Sequence, residues 1–407
     1  MNDSKPAAVG PSDAEGLQSP AMRARLRLGT IVLLSAVGFS SLLSTALTPA
    51  LSKITAHFGG GGTGDLTAQN IVTMAAVGIL IGSPLVGLVS KWIDTRRILI
   101  LSLAIYAVAG SAGMYLESTT ALLASRFVQG LGTAGISVAT ASMIGDRFRG
   151  NQRAQFLGYR DAFIAVFGFV ALQGSGLLAD VAGWRANFAL YLLAVPMIGL
   201  VFLSVFPKVE SAETATGSEG ERFKLLSLWP FYLMVLGLYI AAYTLYLNLS
   251  FLMAEDNITS SALQGRILAT STVMHFIGGM LYGRIVGKIG SRWMFMAVLL
   301  GMALSDFTIG FAQSTVWIVV GTGLAGLSGG NMQVYMVNLL LGRVPAANRP
   351  QALGFMYTAM FVGQFLNPFI ATPLRLWVGN HNAFLVVGAA LLIFAVVQFI
   401  VRSKQQD

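Results

Sequence analysis

The chain has 407 residues, of which 55% are hydrophobic and only 11% charged, with a formal net charge of +9 and no cysteine. A mean hydropathy of +0.71 excludes an ordinary soluble globular domain, and the lack of cysteine excludes disulfides, thiolate metal sites and thiol nucleophiles. The basic excess does not point to nucleic acid, because the Lys and Arg residues are scattered over short loops with no soluble module to gather them.

Residues 1–22 are rich in Pro, Gly, Ser and Ala and precede Arg23, Arg25 and Arg27. They read as part of a cytoplasmic tail over 1–28, ahead of a retained first span and not a cleaved leader. Apolar stretches of about 20 residues, the length that crosses roughly 30 Å of hydrocarbon, then follow near 29–50, 70–90, 98–115, 120–145, 155–179 and 186–206. The segment 207–225, with Glu210, Glu213, Glu219 and Glu221, is the expected cytoplasmic linker. Six further spans are expected near 226–252, 263–287, 293–312, 316–340, 352–374 and 382–401, with 402–407 as a second short tail. The predicted fold class is therefore an all-α membrane protein of twelve transmembrane helices, an N-terminal six-helix bundle over 29–206 and a C-terminal one over 226–401.

The two bundles are copies. At a constant offset of 196 residues Gly87 meets Gly283, Arg96 meets Arg292, Gly130 meets Gly326 and Arg147 meets Arg343. The run Arg153-Ala-Gln155-Phe-Leu157-Gly158-Tyr159 falls on Arg349-Pro-Gln351-Ala-Leu353-Gly354-Phe355. An even number of spans per copy makes the repeats parallel, as in many secondary transporters. With both termini in the cytoplasm, all but Lys53, Arg126, Arg185, Arg266 and Arg375 of the 26 basic residues fall on or beside cytoplasmic segments, which is the expected orientation.

Polar residues are costly inside a span, so their spacing marks the face that avoids lipid. Span 1 carries Ser41, Ser44, Thr45 and Thr48, and span 4 carries Arg126, Gln129, Thr133, Ser137 and Thr140. Span 7 has Tyr239, Tyr243 and Tyr246; span 10 has Ser328, Asn331, Tyr335 and Asn338; span 11 adds Gln364. Each stripe follows helical spacing. Spans 1, 4, 7 and 10 open the four three-helix groups, which points to a central wet cavity, the alternative being interhelical packing through small hydroxyls.

These residues and their order resemble the major facilitator superfamily over all twelve spans. The loop Gly87-Leu-Val-Ser-Lys91-Trp-Ile-Asp94-Thr-Arg96-Arg97 is similar to the family's inner signature, echoed by Gly283-Arg-Ile-Val-Gly287-Lys288-Ile-Gly290-Ser-Arg292. Arg126-Phe-Val-Gln129-Gly130, Gly145-Asp146-Arg147-Phe148 and Asp180 followed by Gly183-Trp184-Arg185 are also family-like. The resemblance is nearest to the bacterial drug and metabolite proton antiporters, and implies a multi-pass protein of the bacterial inner membrane, monomeric, with lipid, protons and a small-molecule substrate as partners. Two departures stand out. Lys91 occupies the place of the family's loop Asp, leaving Asp94 as the loop's carboxylate, and Ala171-Leu172 replaces the antiporters' Gly-Pro pair. Gly87 lets two helices approach, and Arg96 or Arg97 is expected to meet Asp146 in an inner latch, unless these arginines serve topology alone.

Asp161 and Asp306 are the carboxylates deep inside predicted spans, and His275 is the histidine there. All three, with Arg126, are proton-coupling candidates. Asp161 has Tyr357 as its repeat counterpart; it is either a proton carrier or a static partner of Arg160. Asp306 is either a coupling group or a structural one near the outer rim, and His275 a relay or a neutral hydrogen-bonding group. Arg126 must find an anion, from the protein or from the solute. With so few acids, the cavity suits neutral, zwitterionic or anionic organic solutes. No nucleotide loop, metal-ligand cluster, cofactor motif or catalytic constellation is present in the sequence, so the chain is not expected to be an enzyme. The expected activity is proton-coupled export, with proton-coupled uptake of an organic acid as the alternative and a non-transporting membrane sensor as the remote one.

Overall fold

The computed structural model describes residues 20–47, 50–59, 61–206, 225–258 and 261–403. The linker acids and most of the N-terminal tail lie outside the described residues. The fold is all-α, with no strand among the described residues.

Among the described residues nine stretches are long and apolar enough to cross a membrane; one of them holds two spans, and the helices of spans 7 and 10 bring the crossings to twelve. The stretch Leu263–Gly310 has 48 residues, about 72 Å of continuous helix and more than twice a bilayer core. It divides at Gly290, whose φ of 77° only glycine adopts without strain, giving spans 8 and 9. Span 7 is the single 27-residue helix Trp229–Glu255. Span 10 is the 29-residue helix Thr315–Arg343, long enough to cross. Span 1 comprises Pro20–Ser35 and Gly38–Thr45, and span 2 ends at Val89. Spans 3, 4 and 5 are Thr95–Ser111, Thr119–Arg147 and Gly150–Ala182, and span 6 runs through Trp184–Leu203 as a 3-10 turn region followed by an α-helix. Spans 11 and 12 are Arg349–Val378 and Asn380–Ser403.

The duplication is visible in backbone detail. Spans 4 and 10 share start and end at the 196-residue offset, each 29 residues long. Gly183 and Gly379, counterparts in the repeat, close spans 5 and 11 with nearly the same conformation, φ 80° ψ 166° and φ 89° ψ 164°. Within each half a glycine seats span 4 or 10 on its neighbour: a methyl at Gly130 would strike the carbonyl of Ala75, and one at Gly326 the carbonyl of Ser271. Large apolar side chains such as Val181, Leu376 and Trp377 point outward, as a surface solvated by acyl chains requires.

The halves meet by the same duplicated device. A methyl at Gly158 would run into the carbonyl of Gly279, and one at Gly354 into that of Ser83. Gly87 packs on the Cα of Gln351, and Gly283 on that of Gln155. Spans 5 with 8 and 2 with 11 are thus in backbone contact toward the face where spans 1 and 7 begin, here called the near face. Two arginines close that face reciprocally. Arg349 donates to the carbonyl of Gly145 at 3.0 Å and to Asp146 at 2.7 Å; its counterpart Arg153 donates to the carbonyl of Leu341 at 3.2 Å and to Asn338 at 3.0 Å. Gly145 and Leu341 are themselves counterparts.

The expected latch is therefore corrected in its partner. Asp146 pairs with Arg349 of the other half. Arg96 instead donates to the carbonyls of Val201, Phe202 and Ser204 at the foot of span 6, and Arg97 is exposed. Arg96 and Arg97 belong to the half that contains Asp146, and carbonyls left free at the end of span 6 are nearer sinks for Arg96. Asp94 caps span 3 by accepting from the Arg96 backbone N–H at 3.1 Å. Arg292, counterpart of Arg96, lies over the Phe399 ring at 5.4 Å.

Two outcomes are expected. Gly130→Ala and Gly326→Ala, which force backbone apart inside a half, cost about 1–3 kcal/mol each in thermal or denaturant unfolding, whereas Gly174→Ala, with nothing within 4 Å, is silent. In this cysteine-free chain a probe at Ser142→Cys, buried beside the near-face cleft of Asp146 and Arg349, reacts with a soluble thiol reagent up to about fivefold faster when Arg349→Ala removes a partly hydrated ion pair worth roughly 0.2–1 kcal/mol. Equal labelling rates would show that this contact does not hold the face shut.

Candidate functional site

Between the halves lies a cavity of about 270 Å³. Span 1 contributes Ser40 and Ser41, span 4 Thr133 and Ser137, span 5 Arg160, span 7 Tyr243, span 10 Gln333, and span 11 Tyr357, Phe361 and Gln364. Of the residues on the stripes expected to face it, Ser41, Thr133, Ser137 and Tyr243 line it, as does Gln364. The side chain of Tyr246 lies outside the described residues.

Arg160 is the cation of this cavity. It is 2% exposed, and its guanidinium donates to Thr140 Oγ1 at 3.3 Å, to the Ser137 carbonyl at 3.2 Å and to the Tyr357 hydroxyl at 3.3 Å. These partners are neutral, so its charge is screened by dipoles and open to a solute anion. Asp161, one residue on and about 100° round the helix, points at span 8. Its Oδ2 lies 2.7 Å from Nε2 of His275. The predicted alternative of a static Asp161–Arg160 pair is thereby replaced: the adjacent residues of one helix face different neighbours. The two groups singled out separately, on spans 5 and 8, form one contact across the domain interface. The repeat counterparts of Asp161 and His275 are Tyr357 and Ile79, both cavity-lining and neither a carboxylate or an imidazole.

Arg126 is placed elsewhere than expected. It is fully buried inside the N-terminal half, donating to the carbonyls of Leu43 at 2.7 Å and Ile71 at 3.1 Å and to Gln129 Oε1, with its guanidinium 5.1 Å from the Tyr191 ring centre. Carbonyl dipoles and a ring face supply what an anion was expected to supply. Gln129 faces Arg126 and not the cavity. Thr45 bonds back to the Ser41 carbonyl, and Tyr239 stands behind the lining, 3.3 Å from Gln333 Oε1.

The span 10 stripe belongs to a different surface. Asn331 donates to the Leu327 carbonyl at 2.8 Å and lies against Gly278 of span 8. Tyr335 stacks on Phe295 of span 9 at 4.9 Å, and Asn338 holds Arg153 at the near face. These polar groups serve helix packing, the alternative weighed for small hydroxyls, because packed helices leave carbonyls and ring faces within reach of them. Gln333, set between Asn331 and Tyr335 on the opposite face of the helix, is the cavity residue of span 10. Arg160 and Tyr357 were visible as the repeat-breaking neighbourhood of Asp161. Asp306 is buried in span 9 beside a small void.

Among the described residues no cluster of His, Asp and Glu could hold a metal. What the arrangement can do is bind a small polar organic molecule against one cation, several hydroxyls and amides, and an acid–imidazole pair that spans the interface.

Comparison with known proteins agrees with this architecture. A chloramphenicol resistance protein of Streptomyces lividans is 24% identical over 363 residues, covering 83% of this chain and 87% of that protein. The multidrug transporter protein MdtP of Bacillus subtilis is 28% identical over 194 residues, 47% of this chain and 33% of that protein. An uncharacterized transporter of Rickettsia bellii is 20% identical over 264 residues, 63% of this chain. The aligned part spans 64% of the Rickettsia protein and a third of MdtP. The human organic anion transporter MFSD10 superposes with a TM-score of 0.76 at 16% identity, covering 94% of this chain and all of that one. The proton:xylose symporter XylE superposes with a TM-score of 0.72 at 14% identity, covering 93% of this chain, so the likeness is one of fold. The sequence profile of the Major Facilitator Superfamily matches residues 33–254 and 231–406, two overlapping matches that together cover both halves, and the chain belongs to that superfamily as a multi-pass membrane protein.

Proposed function

We propose that this protein is a secondary transporter that works by alternating access and exports a small neutral, zwitterionic or anionic organic compound in exchange for protons. The near face is the cytoplasmic one in this reading, following the basic residues that crowd it. The observation that carries the proposal is the Asp161–His275 contact: a buried acid and an imidazole, one from each half, 2.7 Å apart beside a cavity whose cation is Arg160. Any rocking that separates spans 5 and 8 must break this contact. A carboxylate left alone in a low-dielectric interior is costly, whereas a protonated one is not. Proton binding therefore lowers the cost of parting the halves, which is the linkage that coupled transport needs.

The cargo class follows from the charges. Arg160 has neutral partners, and the neighbouring carboxylate is occupied by His275, so a dication would enter without a counter-charge. Export draws support from the printed descriptions of the relatives, a resistance protein and a multidrug transporter.

The test uses purified protein in liposomes with an imposed pH gradient and a panel of neutral, acidic and dicationic compounds that includes chloramphenicol. The gradient is expected to drive a neutral or acidic compound toward the acidic side. Asp161→Asn and His275→Gln should drop gradient-driven movement to the level of empty liposomes while leaving counterflow exchange of the same compound. Accumulation with the proton flux would indicate symport, and preference for the dication would overturn the charge argument.

A further inference from the structure

The C-terminal half holds a buried carboxylate that the central site does not use. Asp306 is 6% exposed, and among the described residues no base or hydrogen-bond donor pairs with it. Its repeat counterpart is Gly110. There the N-terminal half is filled: a side chain at Gly110 would collide with Gln129 and Tyr191, and Tyr106 stacks edge-on against Tyr191. In the C-terminal half the counterparts of Tyr106, Gln129 and Thr133 are Met302, Ala325 and Gly329. These less bulky groups leave a void of about 30 Å³ between spans 7, 9 and 10, with Asp306 in its wall. Beside Asp306 and Ser305 the lining is apolar, but the void has room for about one water, with the Asp306 carboxyl as its polar partner there.

The void approaches the central pair through Gly329. Gly329 lines it, and the Cβ position of Gly329 is 3.8 Å from Nδ1 of His275. The other nitrogen of that ring, Nε2, is the one at Asp161. A neutral imidazole can accept a proton at one nitrogen and release one from the other. Asp306 lies four residues before the end of span 9 at Gly310, about 6 Å along the helix, and so sits toward the far face, whereas His275 is near the middle of span 8. Among the described residues no other charged side chain lines this void or touches the ring. Around Asp306, span 7 brings Ala241, Ala242 and Leu245 and span 10 brings Ala325 and Gly329, span 12 brings Gly388, and the Ser305 hydroxyl donates to the Gly321 carbonyl. Around His275, span 5 brings Asp161, and span 10 brings Gly329 and Gly330.

We propose that Asp306, a water in this void and His275 form a proton relay from the far face to Asp161. The carboxyl of Asp306 gives its proton to the water, the water passes one to Nδ1, and Nε2 releases its own to Asp161 Oδ2. One proton moves, the ring ends in its other tautomer, and the Asp306 carboxylate reloads from the far side. The relay rests on the proton-coupled reading given above.

Infrared difference spectra between alkaline and acidic pH, recorded on the full chain in lipid, test it. Wild-type protein is expected to show imidazole ring bands, assigned by their loss in His275→Gln, together with a carboxylic-acid carbonyl band that disappears in Asp306→Asn. Gly329→Ala places a methyl at ordinary contact distance from the ring, so the fold tolerates it, yet narrows the passage; there the Asp306 band should no longer change in the same pH step as the His275 bands. A carbonyl band indifferent to Asp306→Asn, or the two signals still joined in Gly329→Ala, overturns the relay. Ring bands and an Asp161 band that respond without Asp306 sink the relay alone, whereas a His275 silent to pH in wild type sinks both the relay and the coupling role of the pair.

Discussion

A bilayer gives apolar helices no hydrophobic reason to leave lipid for one another, so this protein coheres where glycine lets backbone touch backbone. The same contact is made twice in every case that matters. Gly130 on Ala75 and Gly326 on Ser271 tie each half together, and Gly158 on Gly279 and Gly354 on Ser83 tie the halves to each other. The second set is the more consequential. Backbone contact without interdigitated side chains can separate and reform with little repacking, which suits a joint between two rigid bodies better than a knobs-into-holes seam would.

On this symmetric frame the polar groups are asymmetric. The N-terminal half spends Arg126, Gln129, Tyr106 and Tyr191 on one another and on the Leu43 and Ile71 carbonyls, filling its interior. The corresponding interior of the C-terminal half has a lone carboxylate and a void. A similar contrast holds at the interface, where Asp161 and His275 meet on one side of the pseudo-twofold axis and Tyr357 and Ile79 take their places on the other. Stability explains the filled sites. It does not explain the bare acid, because a buried carboxyl with no partner is a cost that an apolar residue would have avoided.

The architecture was legible in the sequence because hydropathy and repeat offset are properties of whole segments: the residues that set the twelve spans and the glycine pairs carry their signal in order and spacing. The site was legible only in part. Polar stripes mark the faces that avoid lipid, but a face can avoid lipid by meeting another helix as well as by meeting water, and periodicity is blind to the difference. The stripe through Asn331, Tyr335 and Asn338 met helices, while Gln333 met the cavity. Arg126 misled for a related reason. Charge bookkeeping over side chains leaves out main-chain carbonyls, and the end of the span 1 helix near Leu43 supplies a carbonyl with capacity to spare.

Two of the polar contacts that cross between the halves, Asp146–Arg349 and Asp161–His275, differ in what they can control. Asp146 and Arg349 have side chains 31% and 14% exposed, and a partly hydrated pair of this kind is worth roughly 0.2–1 kcal/mol; thermal motion breaks it regardless of pH near neutrality. Asp161 has a side chain only 2% exposed. Opening a contact of that burial while the carboxylate is charged costs on the order of 3–5 kcal/mol, enough to hold the open form to a small fraction of molecules. In the proposed exchange cycle the near-face latch would set the resting preference, and protonation of the deeper pair would decide whether that preference is overcome. Under that reading, a proton-sensitive contact at mid-depth and a weak one at the rim make solute release conditional on a proton already bound, and the reverse placement would leak.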